Sequence, residues 1–177
     1  MIDELVSSGL SAELIVIIIS ALPIAELRGA LPVAIHLFDL PWYQALPLAI
    51  IGNMLPVPFL LVFFESIARA ISRTDRGKRL VDWLFKRNER QAAVVEKYKS
   101  VGLVILVAIP LPGTGAWTGS IIAFLCRLKF GRSFLSIAAG VIISGAIVTS
   151  LSLMGWLGAL IAGIGLCALA ILSLWKV

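Results

Sequence analysis

The sequence predicts an all-α integral membrane protein with two re-entrant helical hairpins in an inverted-topology repeat, about three transmembrane helices and a cytoplasmic amphipathic helix. Three observations lead there. The 177-residue chain is 60% hydrophobic and 14% charged, whereas soluble domains run at roughly 45–50% apolar and about 25% charged. Two long apolar stretches are each interrupted midway by Pro and Gly: LIVIIISALPIAELRGALPVAIHL over 14–37 and LVILVAIPLPGTGAWTGSIIAFL over 103–125. Ten of the fifteen Lys and Arg residues fall between Arg69 and Lys99, and such clustering marks the cytoplasmic side of a membrane protein.

The chain reads as a single membrane domain, 1–177, with apolar segments at about 12–37, 43–68, 101–125, 133–151 and 153–175. Continuous apolar runs favour helices over a barrel, whose strands would alternate. The first half is 1–68 and contains the hairpin 12–37. A basic connector, 69–100, leads to the second half, 101–151, whose hairpin is 101–125. An extra C-terminal helix, 153–175, carries Gly155, Gly158, Gly163 and Gly165, small residues that permit close helix packing. The first residues lack Lys and Arg, so no cleavable signal peptide is expected there. Cys126 and Cys167 read as small apolar fillers rather than a disulfide or metal pair.

Charge placement decides the second hairpin. The connector and the loop carrying Arg127, Lys129 and Arg132 both belong inside. A single crossing by 101–125 would put them on opposite faces, whereas a segment that enters and returns puts both inside. Each arm of about ten residues is then roughly 15 Å long, enough to reach the midplane only. Pro110 and Pro112 end a helix, and Gly113 and Gly115 allow unusual backbone angles. The first segment, with Pro23 and Pro32 as its breaks, could span or return. Its likeness to the second favours the hairpin: SALPIAELRGALPVAI and AIPLPGTGAWTGSIIAF share a Pro-led break, a Gly-containing turn and an apolar return arm. Each is followed by an aromatic pair (Trp42 and Tyr43; Phe130 and Phe134), and Gly52 and Gly140 hold comparable places in the next helix. Broken apolar segments in both halves point to a transport site at the midplane. In the connector, Leu80, Val81, Leu84, Phe85, Ala92 and Val95 recur at near-helical spacing, with Trp83 and Tyr98 suited to headgroups, which predicts a helix lying on the cytoplasmic leaflet. A solvated linker helix is the plainer alternative.

Glu26 and Arg28 are the only charges deep in an apolar segment. Intramembrane ionisable residues pair or line a polar path. Arg28 is the candidate anion or phosphate ligand and Glu26 the candidate proton carrier, against the plainer reading of an internal ion pair. Helices restarting after the two breaks would aim N–H groups at the midplane. Gly113, Thr114 and Gly115 could form a backbone nest for phosphate or carboxylate, with the Thr118 and Ser120 hydroxyls nearby, or merely a tight turn. Trp117 would stack on substrate or pack. Asn53 would hydrogen-bond a hairpin tip or touch substrate. His36 reads as a solvated loop residue. No metal constellation, nucleophile–base pair or phosphate loop is visible in the sequence, so no enzyme, metal or cofactor is expected, and the clustered charge gives no case for nucleic acid.

The stretches AELRGALPVAI and IPLPGTGAWTGS resemble the small multidrug export protein family, itself similar to the DedA (VTT-domain) membrane proteins, over about 12 to 155. The resemblance implies two facing re-entrant hairpins and lipid transport or scrambling, with undecaprenyl phosphate among the substrates. It places the acidic position of a Pro-x-x-Glu-like motif on Glu26, the second Pro-Gly on Pro112 and Gly113, and a later basic-plus-aromatic element on Phe130-Gly131-Arg132. The chain departs from the DedA pattern where arginines would flank that Pro-Gly, since Ala108, Thr114 and Gly115 stand there. Arg28 is the residue able to supply the missing charge.

The expected function is a secondary transporter or flippase for an anionic, lipid-linked phosphate such as a polyprenyl phosphate or phospholipid, coupled to protons. The alternatives are proton-coupled export of lipophilic cations and a non-transporting scaffold acting through the connector. The expected setting is the plasma (inner) membrane of a prokaryote, multi-pass, with connector and C-terminus cytoplasmic. The sequence leaves the subunit count open, a homo-oligomer included.

Overall fold

The computed structural model describes the backbone at residues 10–71, 75–111, 114–155 and 158, and side chains at all of these except 64–71 and most of 75–94. Regular structure among the described residues is entirely helical: α1 Ala12–Ala21, α2 Glu26–His36, α3 Trp42–Met54, α4 Pro56–Ile71, α5 Asp75–Ala108, α6 Ala116–Leu125 and α7 Phe130–Leu153. The expected C-terminal helix, the residues Pro112 and Gly113, and most connector side chains lie outside the described residues.

Local chemistry sets the boundaries. Ser11 caps α1, and the helix ends at Leu22, which adopts an extended ψ of 140° because the following Pro23 ring disfavours helical geometry there. After the turn, Glu26 takes a φ of 48° and opens α2. Contrary to the expectation of a break, α2 continues through Pro32, which removes only the N–H that would have met the Arg28 carbonyl. Pro47 is likewise accommodated inside α3. Pro56 does interrupt: the chain bends at Leu55 between α3 and α4.

Among the described residues two helices are long and apolar enough to cross a membrane, Trp42–Phe63 (α3 running into α4) and Phe130–Leu153. They and α5 expose large apolar side chains, among them Ile51, Phe59, Val62, Val101, Ile105, Leu135 and Ile142. A belt of that kind is stable only against an apolar surrounding or a partner. The interior is one cluster drawn from both halves, with Ile15, Val16, Leu27, Leu31, Leu103, Val107, Ile122, Ile137 and Val141.

The two halves follow the same plan. α1 packs on α2 and α3, and the last turns of α5 pack on α6 and α7. The return arms cross over: α2 also packs on α7, and α6 on α4. Equivalent backbone features recur. Asp39 and Arg127 both take a φ of 49°. Pro41 and Lys129 are extended N-caps, with ψ of 141° and 138°. Trp42 and Phe130 open the long helices. Gly52 and Gly140 let each long helix approach its own half's first arm. All four pairs are separated by one and the same interval along the chain. At that interval from the α1 cap, Ser11, stands Lys99, where α5 breaks from helical geometry (φ 49°, ψ −121°).

Val95 is fully buried and Ala92 half-buried, and the Ala92 carbonyl lies 3.5 Å from the half-buried Cys126 thiol. At these positions, therefore, the apolar face of the connector is covered by the protein and not by lipid, while Trp83 and Tyr98 are exposed.

A Cβ at Gly140 would come within 2.6 Å of Val107 Cβ and 3.0 Å of the Val104 carbonyl. Overpacking of this order costs about 1–3 kcal/mol. Gly140→Ala is therefore expected to lower the melting temperature in detergent, and an unchanged or raised value would contradict the close α5–α7 approach.

Candidate functional site

The turns of the two broken segments meet. From the first, Glu26 is buried at the start of α2. Its left-handed backbone is a conformation that costs a non-glycine residue on the order of 1 kcal/mol or more, and it turns the carboxylate toward the second segment. There the Trp117 backbone N–H donates to Glu26 Oε1 at 3.4 Å, in the first turn of α6. A carboxylate at a helix N-terminus answers both unpaired N–H groups and the positive end of the helix dipole.

Gly115 makes this approach feasible. Its φ of 145° and ψ of −167° lie in a region essentially confined to glycine. A Cβ there would lie 2.7 Å from both Glu26 Cδ and Oε1. The carboxylate thus rests on the bare α-carbon of Gly115.

Arg28 reaches the opposite kind of helix end. Pro110 stops the preceding helix, and the carbonyls beyond it lack intrahelical donors. Arg28 Nη1 donates to the Leu111 carbonyl, and Nη2 donates to the Ile109 carbonyl at 3.3 Å and to Thr114 Oγ1 at 3.1 Å. Thr114 is buried. Its hydroxyl donates to the Ile109 carbonyl at 2.8 Å and accepts from Leu111 N–H at 3.3 Å. A guanidinium presents several donors in a fixed fork, which suits two carbonyls and a hydroxyl at once.

A third link runs the other way: the Trp117 indole N–H donates to the Ala21 carbonyl, at the end of α1, at 3.1 Å. Each tip therefore completes helix ends belonging to the other. Among the described residues no ion pair joins Glu26 to Arg28. Two residues apart at the head of one helix, they hydrogen-bond to separate partners on the second segment.

Several expected roles look different in this geometry. Thr114 N–H turns back to the Leu111 carbonyl at 3.2 Å, so it is not an open nest donor. Ser120 is buried and bonds the Ala116 carbonyl in its own helix at 2.7 Å. Trp117 uses its indole as a cap and is half-buried; Thr118 is half-buried beside it. Asn53 is fully buried, but neither amide atom has a hydrogen-bond partner among the described residues, so the tip bond expected of it is not made. His36 is exposed. Among the described residues no His, Cys, Asp and Glu cluster could hold a metal. The sequence reading missed the carbonyls of Ala21, Ile109 and Leu111 as binding groups. Their signal was present in the prolines at 23 and 110, which guarantee helix ends with unmet carbonyls.

No curated protein and no solved structure matches the chain. A protein family does, over residues 26–147, well over half of the chain, from Glu26 through the second tip. The chain belongs to that family, described as "Putative small multi-drug export protein".

Proposed function

We propose that the protein is a secondary transporter or flippase for an anionic, lipid-linked phosphate, with hairpins that re-enter the bilayer from opposite faces as an inverted-topology repeat and meet at its midplane. The observation that carries this reading is the clasp between the tips. The Glu26 carboxylate occupies a helix N-terminus, the kind of place where phosphate binds, and Arg28 stands beside it on the same turn. An incoming phosphate would take over the α6 N-terminus and the guanidinium. Protonation would remove the charge that holds Glu26 there, which couples the exchange to the proton gradient. The setting proposed is a prokaryotic inner membrane with the connector cytoplasmic.

Purified protein in proteoliposomes, with a fluorescent polyprenyl phosphate or phospholipid as probe, tests this. Glu26→Gln and Arg28→Ala are expected to abolish translocation while both variants insert and elute as wild type. Wild-type translocation by both would overturn the proposal.

The family description favours a second reading, proton-coupled export of lipophilic cations. In it Glu26 exchanges a proton for the cation, and Arg28 stays bound to the second tip. A proton flux that depends on added cationic dye and is absent with the phosphate lipid would select this reading.

A further inference from the structure

The Thr114 hydroxyl is saturated. A hydroxyl has one proton to donate and two lone pairs to accept with. Leu111 N–H, at 3.3 Å, and Arg28 Nη2, at 3.1 Å, can only donate, and they take both lone pairs. The proton has two carbonyls within reach, Ile109 at 2.8 Å and Leu111 at 2.9 Å. Thr114 is 8% exposed. It therefore has no capacity left for a substrate while it holds Arg28.

The guanidinium, by contrast, is not saturated. Nη1 donates to the Leu111 carbonyl, and Nη2 uses both of its N–H groups, on the Ile109 carbonyl and on Thr114. Nε is buried, yet it has no hydrogen-bond partner among the described residues. Nε and Nη2 together form the side edge of the guanidinium fork, a pair of parallel donors that phosphate and carboxylate engage bidentately. Half of that edge is idle and the other half is taken. A bidentate oxyanion must therefore displace a partner of Nη2. The Ile109 carbonyl is backbone, whereas the hydroxyl turns about a single side-chain bond. The acceptors that Arg28 now has on the second tip are neutral, and an ionised acceptor makes hydrogen bonds roughly twice as strong, so the exchange favours the anion.

We propose that the Nε–Nη2 edge of Arg28 is the subsite for a phosphate group, and that Thr114 is its positioning residue. The hydroxyl holds the edge against the second tip and yields Nη2 when the phosphate arrives. Because Nε is buried, the edge opens to a ligand only as the tips loosen. The inference rests on the phosphate reading of the site, and it changes the part played by Thr114: the residue competes with the substrate for Arg28 and does not bind the substrate itself.

The probe is inorganic phosphate, titrated into protein that carries isotope-labelled arginine in nanodiscs. Nuclear magnetic resonance then follows the Arg28 Nε–H signal, assigned by its loss in Arg28→Lys. Phosphate is expected to shift that signal in the wild type. Thr114→Val, which keeps the shape and removes the hydroxyl, is expected to bind phosphate roughly tenfold more tightly, or about 1.4 kcal/mol. Thr114→Ser, which keeps the hydroxyl, is expected to bind as wild type. In translocation Thr114→Val is expected to lower KM and kcat together, because the anion is held where the wild type releases it. Loss of a merely structural tip bond would not lower KM. A wild-type Nε signal that phosphate leaves unmoved would overturn the proposal, and so would unchanged or weaker phosphate binding by Thr114→Val. Translocation lost in Arg28→Ala, with Nε unmoved by phosphate, would reject the edge and leave the transport reading standing. A shifted Nε in protein that translocates no phosphate lipid would reject the transport reading and leave the edge.

Discussion

Gly115→Ala is expected to abolish transport and loosen the second tip while leaving the long helices intact. Two effects act together. The backbone at Gly115 is in a region where a side chain costs on the order of 1–3 kcal/mol, and the new methyl group would run into the Glu26 carboxylate. Relief requires either that Glu26 leave the α6 N-terminus or that the tip refold. Both outcomes break the link to Trp117. The measurement is translocation in proteoliposomes alongside Trp117 fluorescence, which is expected to shift as its indole loses the Ala21 carbonyl. Wild-type transport with unchanged fluorescence would show that the carboxylate does not rest on this residue.

Gly52→Val is expected to have the largest effect on folding. Its Cβ would lie 2.9 Å from both Ile17 Cα and Ser20 Cβ, and nearer still to the Ile17 carbonyl. Those obstacles are largely backbone and cannot rotate away. Beside this contact, Ser20 Oγ donates to the Ala49 carbonyl at 2.5 Å, a bond that a displaced α1 would lose. Overpacking costs about 1–3 kcal/mol where neighbours can adjust, and more where they cannot. The expected result is a collapse of the monodisperse peak in detergent gel filtration, with Gly52→Ala intermediate between wild type and valine. A well-behaved valine variant would contradict the α1–α3 contact.

The helix–turn–helix breaks were legible because proline writes its constraint in one residue: Leu22 is extended because Pro23 follows, and the carbonyls near Pro110 leave the helical ladder because that residue ends it. The pairing of Gly52 with Gly140 was also readable, since glycine in an apolar helix marks a close approach. Pro32 misled, because a helix with tertiary support absorbs one missing N–H. Two connector positions misled for another reason. An apolar stripe at helical spacing records that Ala92 and Val95 are covered, but not whether lipid or protein covers them. The partners of Glu26 and Arg28 were the least legible part of the site. Their spacing implied separate faces, yet what they bind is backbone, and backbone groups have no letter of their own. Asn53 shows the converse: its residue type called for a partner among the described residues that it does not have.

The mutual capping of the two tips has a consequence for leakage. In water a parted clasp would be resolvated at little cost, but in hydrocarbon each exposed carbonyl, N–H and charge costs several kcal/mol. The Ala21 carbonyl, the Trp117 backbone and indole N–H groups, Glu26 and Arg28 would lose these partners at once. In the proposed transport cycle, separation would then be cheapest as a swap, in which a guest supplies the lost partners as the halves withdraw. On that proposal the barrier would stay shut against the empty cycle without a dedicated lock, because the unaccompanied open state would be the most expensive one available to it.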